Sequence, residues 1–88
     1  MLSIIIPAKN EEQYLPRLLE SLKHQTYKDF EMIVADADSR DRTRAVAMKF
    51  GCKITSGGLP AEGRANGAKV AKGDLLFFID ADCSASKD

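Results

Sequence analysis

The sequence predicts an α/β fold, with a mainly parallel sheet and helices on its faces. Three observations predict it. Short apolar, β-branched segments alternate along the chain with segments of helical period, the pattern of successive strand–helix units. The last of these strands, Leu75-Leu76-Phe77-Phe78-Ile79, is an unbroken apolar run, the form taken by a strand covered on both faces. It stops at Asp80-Ala81-Asp82, and in an open parallel sheet ligands bind beyond the carboxyl ends of the strands.

The first element is Leu2-Ser3-Ile4-Ile5-Ile6, a strand by its branched residues, ended by Pro7, which cannot donate to a sheet ladder. Residues 8–12 form a polar loop. Leu15, Leu18, Leu19 and Leu22 then recur at helical spacing, predicting a helix over 15–25 with Pro16 tolerated in its first turn. His24 falls at its exposed carboxyl end. A second strand spans 30–35 and runs into Asp36-Ala37-Asp38-Ser39-Arg40-Asp41, an acidic loop with Ser39 as the expected helix cap. Thr43, Val46, Ala47 and Phe50 mark the inner face of a helix over 41–50, with Gly51 as its C′ residue. A weak third strand follows at 52–55. Ser56-Gly57-Gly58-Leu59-Pro60 reads as a mobile loop, and a small-residue helix over 63–72 is stopped by Gly73. The acid-ended fourth strand, 74–79, comes last.

Composition narrows the function classes. A chain of 88 residues supports one domain with a small core. Thirteen basic and thirteen acidic residues give no net charge, which argues against nucleic acid or an anionic membrane as a bulk partner. Cys52 and Cys83 match no metal or disulfide spacing, so a reducing, cytoplasmic setting is the default. Residues 2–6 are too short for a signal peptide or a membrane span. The sequence stops just beyond its acidic pair, which is expected of the front part of a longer protein or of an unusually small domain.

If the strands are parallel, four loops meet at one edge. They bring Pro7, Ala8, Asn10 and Glu11, then Asp36, Asp38, Ser39 and Asp41, then Arg64 and Asn66, and last Asp80 and Asp82. Two carboxylates one residue apart can hold a hard divalent ion, Mn²⁺ or Mg²⁺, which takes its remaining ligands from phosphate and water. Arg64 offers bidentate donors to phosphate. Asp36 can accept from a base N–H or a ribose hydroxyl. Plainer roles stand beside these: Asp-x-Asp also opens turns and caps helices, Asp36 and Asp38 can cap, Asn10 and Glu11 can cap the first helix, and Arg64 can be a solvated helix residue. The glycine stretch lacks the lysine and hydroxyl pattern of a phosphate-binding loop and does not follow the first strand, so neither common nucleotide fingerprint applies.

Taken together, four ordered segments resemble family 2 glycosyltransferases of the GT-A fold, a Rossmann-like three-layer α/β/α arrangement. They are Ser3-Ile4-Ile5-Ile6-Pro7-Ala8-Lys9-Asn10-Glu11-Glu12, Val34-Ala35-Asp36-Ala37-Asp38-Ser39-Arg40-Asp41-Arg42-Thr43, Gly63-Arg64-Ala65-Asn66-Gly67-Ala68 and Asp80-Ala81-Asp82. The chain departs from the family pattern in one place: Ala37 replaces the second acid of the Asp-Asp pair, and Asp38 stands where members carry glycine. The resemblance implies that residues 1–88 are the donor-binding half of a metal-dependent, inverting sugar transferase acting on a nucleotide diphosphate sugar. Pro7, Ala8, Asn10, Glu11, Asp36, Asp38, Arg64 and Asp80 would line the nucleotide site. Asp80 and Asp82 would hold the metal. The acceptor-binding half and the general base would follow the Asp-x-Asp, the acceptor is unspecified, and the full-length protein could associate with a membrane. Two rivals remain at this point: a non-catalytic nucleotide-binding or interaction domain, and a sugar-nucleotide nucleotidyltransferase. A sheet ending here would also leave apolar surface open and favour self-association.

Overall fold

The structure is a computed structural model and describes residues 1–79. Its order is β1 (Leu2–Ala8), α1 (Leu15–Lys23), β2 (Phe30–Asp36), α2 (Thr43–Lys49), β3 (Lys53–Ser56), α3 (Pro60–Val70) and β4 (Leu75–Phe78). The four strands form one sheet in the order β3-β2-β1-β4, and every pairing is parallel. Leu2 lies opposite Phe30 and Ala8 opposite Asp36, so β1 and β2 end level with each other. That registry brings the loops after β1, β2 and β3, with the end of β4, to a single edge.

Side-chain alternation along the strands divides the interior in two. Ile4, Ile6, Ala8 and Val34 face one side, where Leu15, Leu19 and Leu22 of α1 and Ala47 of α2 complete a buried cluster. The two helices also meet through Lys23, whose Nζ lies 5.6 Å from the centre of the Phe50 ring. Ile5, Ile33 and Ala35 face the other side, which α3 covers. Gly63 brings that helix against Ala35 and Pro7, and Gly67 brings it onto Ile5. Helices on both faces give the expected three layers.

A polar network at the opposite edge ties the turn before β4 to the first two strands. The Ser3 hydroxyl donates to Glu31 Oε2 at 2.6 Å and accepts from Gly73 N–H at 2.8 Å. Lys72 N–H donates to the same carboxylate at 2.6 Å, and Lys53 Nζ pairs with Oε1 at 2.9 Å. Burial works against the charge on Glu31. The bonds from Lys72, Ser3 and Lys53, with the Lys53 charge, outweigh it and hold the carboxyl down at about 2.

Four expectations are corrected. β4 is open rather than covered: its side chains run from 68 % exposed at Leu75 to 42 % at Phe78. Among the described residues it pairs only with β1, and no helix makes extensive contact with it. Residues 56–60 are not a free loop, since Ser56 ends β3 and Pro60 begins α3. Proline suits a first helical turn, and Glu62 Oε1 accepts from Leu59 N–H at 2.8 Å, satisfying one amide at the helix start. At its other end α3 stops at Val70 because Ala71 turns extended, before Gly73 is reached. Ser39 does not cap α2, which starts at Thr43 after Arg42. Gly51, by contrast, has the positive φ of 79° required of a C′ residue.

Candidate functional site

A cavity of about 490 Å³ opens at the carboxyl edge of the sheet, and all four strand ends contribute to it. Pro7, Ala8, Lys9 and Glu11 come from the end of β1, Ala35 and Ala37 from β2, and Phe78 and Ile79 from β4. Gly57, Gly58 and Leu59 come from the loop after β3, with Gly63 and Arg64 from α3. Gly57 is obligatory here. A Cβ on it would lie 2.7 Å from Ala37 N and 2.9 Å from Ala35 O, both rigid backbone atoms, so only glycine lets the loop close against the end of β2. Asn66 secures that loop by donating to Ser56 O at 2.8 Å. It is a brace for the wall, where the sequence had placed it among the groups delivered to the edge.

The loops after β1 and β2 are stitched together by side chain to backbone hydrogen bonds. Asn10 N–H donates to Ser39 Oγ at 2.8 Å, and Asn10 Oδ1 accepts from Arg40 N–H at 2.8 Å. Glu11 N–H donates to Thr43 Oγ1 at 2.8 Å, and Glu12 N–H to Asp41 Oδ2 at 3.2 Å. The Ser39 hydroxyl passes its proton side on to Asp36, and the Thr43 hydroxyl does the same to Asp41. Burial opposes the charge on Asp41, but the hydrogen bonds from Thr43 and Glu12 outweigh it and lower its carboxyl below the ordinary value. Asn10 and Asp38 sit at φ 52° and 58°, left-handed positions that asparagine and aspartate adopt more readily than other side-chain-bearing residues.

The sequence-derived site residues therefore separate into two groups. Pro7, Ala8, Glu11 and Arg64 line the cavity. Asn10, Asp36 and Asp38 do not. The Asp36 side chain is only 2 % exposed, and its carboxylate accepts from Ser39 and from Arg44 Nε at 3.0 Å. Asp38 is fully exposed at 101 % and lies 3.9 Å from Arg44 Nη2. The reason is parity. Asp36 shares the α1–α2 face of its strand with Val34, while Ala37 continues the row of Ile33 and Ala35 into the cavity. By the same alternation Lys9 follows Ile5 and Pro7 onto the cavity side, and the sequence reading passed over it. Period-two counting past the strand end was the signal that could have found both Lys9 and Ala37. Arg44, the partner of Asp36, carried no signal in the sequence. Asp80 and Asp82 lie outside the described residues, and among those described no cluster of three or more His, Cys, Asp or Glu is placed to hold a metal.

Residues 3–88 match the family model described as Glycosyl transferase family 2. The chain belongs to that family. It is 38 % identical, over 99 % of its length, to 4,4'-diaponeurosporenoate glycosyltransferase of Staphylococcus haemolyticus, and it covers 25 % of that protein. The fold of Staphylococcus aureus TarS 1–349 superposes with a TM-score of 0.81 at 31 % identity, over 92 % of this chain and 27 % of that one. Mycobacterium tuberculosis glucosyl-3-phosphoglycerate synthase, in a complex with Mn²⁺, UDP and glucosyl-3-phosphoglycerate, gives 0.73 at 28 % identity, over 92 % of this chain and 33 % of that one. This chain thus spans about a quarter to a third of these three relatives, and the parallel sheet with its flanking helices is the GT-A arrangement in that part.

Proposed function

We propose that this chain supplies the donor-binding half of a metal-dependent, inverting glycosyltransferase that moves a sugar from a nucleotide diphosphate sugar to an acceptor. The observation that carries the reading is the cavity at the carboxyl edge, built from all four strand ends and lined by Glu11 and Arg64. Its position in the fold, and the UDP complexes of TarS and of glucosyl-3-phosphoglycerate synthase, support a nucleotide diphosphate as its ligand. Arg64 stabilises the charge that builds on the leaving diphosphate. Asp80 and Asp82 hold the Mn²⁺ or Mg²⁺, which when bound supplies further charge neutralisation there. Asn10, Asp36 and Asp38 serve the site through the loops they shape, and direct donor contact by Asp36 would require Arg44 or Ser39 to give way.

The acceptor site and the general base come from chain beyond this segment; the setting proposed for the action is cytoplasmic, with membrane association of the full-length protein as the alternative. No helix among the described residues is long and apolar enough to cross a membrane. Standing alone, the 88 residues self-associate through the open β4. Calorimetric titration of UDP with and without Mn²⁺, on the wild type and Asp82→Asn, tests the core of the proposal. Binding strengthened by Mn²⁺ in the wild type and not in the variant is the expected result. Equal metal-dependent affinity in both removes Asp82 from the site.

A further inference from the structure

We infer that the amino edge of the sheet, the end away from the cavity, is a docking surface for a lipid bilayer with anionic headgroups. The inference does not depend on the nucleotide reading of the cavity. It assigns to named residues of this segment the contact that membrane association of the full-length protein would need.

Charge is sorted along the strands. Each helix ends where the next parallel strand begins, so the trailing ends of α1, α2 and α3 gather at the amino edge. Six of the chain's lysines lie there: Lys23 and Lys28 at and after the end of α1, Lys49 and Lys53 at the end of α2 and start of β3, and Lys69 and Lys72 at and after the end of α3. Every arginine lies instead in the loop after β2 or in the leading half of a helix, towards the cavity. The acids of the amino edge are already engaged. The Met1 amino group lies 3.6 Å from Asp29 and 3.4 Å from Asp74, Lys53 pairs with Glu31, and His24 lies 3.8 Å from Glu20. Lys23, Lys28, Lys49, Lys69 and Lys72 are exposed, and among the described residues none of them is held in an ion pair. Zero net charge speaks against an anionic partner for the chain as a whole, but the fold gives the chain a cationic end.

Helix dipoles account for part of this. Lys23, Lys49 and Lys69 stand in last helical turns, and Lys28 Nζ donates to Lys23 O. They do not account for Lys72, which lies exposed beyond α3, nor for apolar side chains exposed beside the lysines. Tyr27 is 55 % exposed next to Lys28, Val70 39 % next to Lys69, and Met1 38 % between Asp29 and Asp74. These pieces are contiguous. Met1 O accepts from Asp74 N–H at 3.0 Å, and Leu2 N–H donates to Asp29 O at 3.1 Å, so the connections carrying Lys28 and Lys72 flank the chain start. Ammonium groups interleaved with aromatic and aliphatic side chains suit a surface that rests on headgroups and enters the boundary beneath them. Protein interfaces favour arginine and are poor in lysine, the reverse of this edge. Met1 and Val70 have no counterpart on a nucleic acid backbone. Docking by this edge leaves the cavity at the other end open.

The test is cosedimentation with two kinds of vesicle, one of phosphatidylcholine alone and one of equal parts phosphatidylcholine and phosphatidylserine. Circular dichroism confirms that each variant is folded. The wild type is expected to sediment with the mixed vesicles and not with phosphatidylcholine, and added salt should weaken the binding. Lys28→Gln and Lys72→Gln should each lower the partition coefficient about fivefold, and the double variant by the product of the two. Tyr27→Ser should lower it as well while leaving its dependence on salt intact. Arg17→Gln, an exposed cation in the first turn of α1 at the far edge, should leave it unchanged. No sedimentation of the folded wild type with the mixed vesicles at low salt overturns the inference, and so does equal binding to both kinds. An unchanged partition in the double variant, or an equal loss in Arg17→Gln, overturns the assignment to this edge. Binding of single-stranded RNA by a wild type that ignores the mixed vesicles gives the edge to nucleic acid and overturns the lipid reading.

Discussion

Gly67 of α3 lies directly over Ile5 of β1. A methyl group at position 67 would collide with Ile5 Cγ2 and stand 3.2 Å from Cγ1. Gly67→Ala gains about 1 kcal/mol of helix propensity, yet it forces the helix off the sheet at a cost of about 1–3 kcal/mol. A net loss of stability in urea unfolding is the expected outcome. Because the clash is with one side chain, the loss should shrink in an Ile5→Ala background, giving a non-additive double-mutant cycle. Full additivity would mean that the two residues are not in contact.

Asn10 does two separable things: it adopts φ 52°, and its Oδ1 accepts from Arg40 N–H. Asn10→Gly keeps the first and loses the second, and should cost about 1 kcal/mol. Asn10→Ala loses both and should cost roughly 2 kcal/mol. Urea unfolding of the two variants measures both losses. A smaller loss in Asn10→Ala than in Asn10→Gly would show that the backbone at this position is unstrained.

Asp38 has φ 58° with an exposed side chain, and its 3.9 Å approach to Arg44 is a surface pair of small value. Asp38→Gly should be neutral or stabilising by up to about 1 kcal/mol. Asp38→Val, branched at a left-handed position, should destabilise by about 1–2 kcal/mol. Thermal melts of the two variants decide the matter, and the reverse order would sink the argument.

Glu31 links stability to pH. Its carboxyl is held at about 2 in the folded state against an ordinary 4.5, so its contribution is complete above about pH 4.5 and is lost as the pH falls towards 2. Glu31→Gln should remove most of that pH dependence and leave a chain less stable at pH 7, where Lys53 is then without its partner. Urea midpoints measured between pH 2 and pH 7 would show the two curves converging at the acid end. Parallel curves would assign the acid lability to other carboxylates.

The open β4 should make the isolated chain associate. Phe77→Lys places a charge on the strand and should lower the sedimentation-average mass at a fixed concentration. A wild type that stays monomeric on concentration removes this expectation.

The fold was legible because each element states its period. Leu15, Leu19 and Leu22 declare a helix face, and Ile4, Ile5 and Ile6 a strand covered on both sides. The candidate site was legible only as a neighbourhood. Which of two adjacent loop residues enters the cavity depends on strand parity carried past the last paired residue, and it separated Ala37 from Asp36 and Lys9 from Asn10. The Ser39–Asn10 and Thr43–Glu11 stitches depend on two loops some thirty positions apart being level, which no local pattern records. Exposure of β4 could not be read from its composition. Leu75 to Phe78 look like core, and whether anything covers them is a property of the sheet's order.

That order has a consequence during synthesis. β1 is made first but lies inside the sheet, between a partner that follows soon and one, β4, that follows last. At roughly 5–20 residues per second, several seconds separate the emergence of β2 from that of β4. Through that interval β1 carries one unpaired backbone edge, beside apolar side chains already gathered by α1 and α2. A nascent chain arrested between those two strands is thus a half-closed sheet.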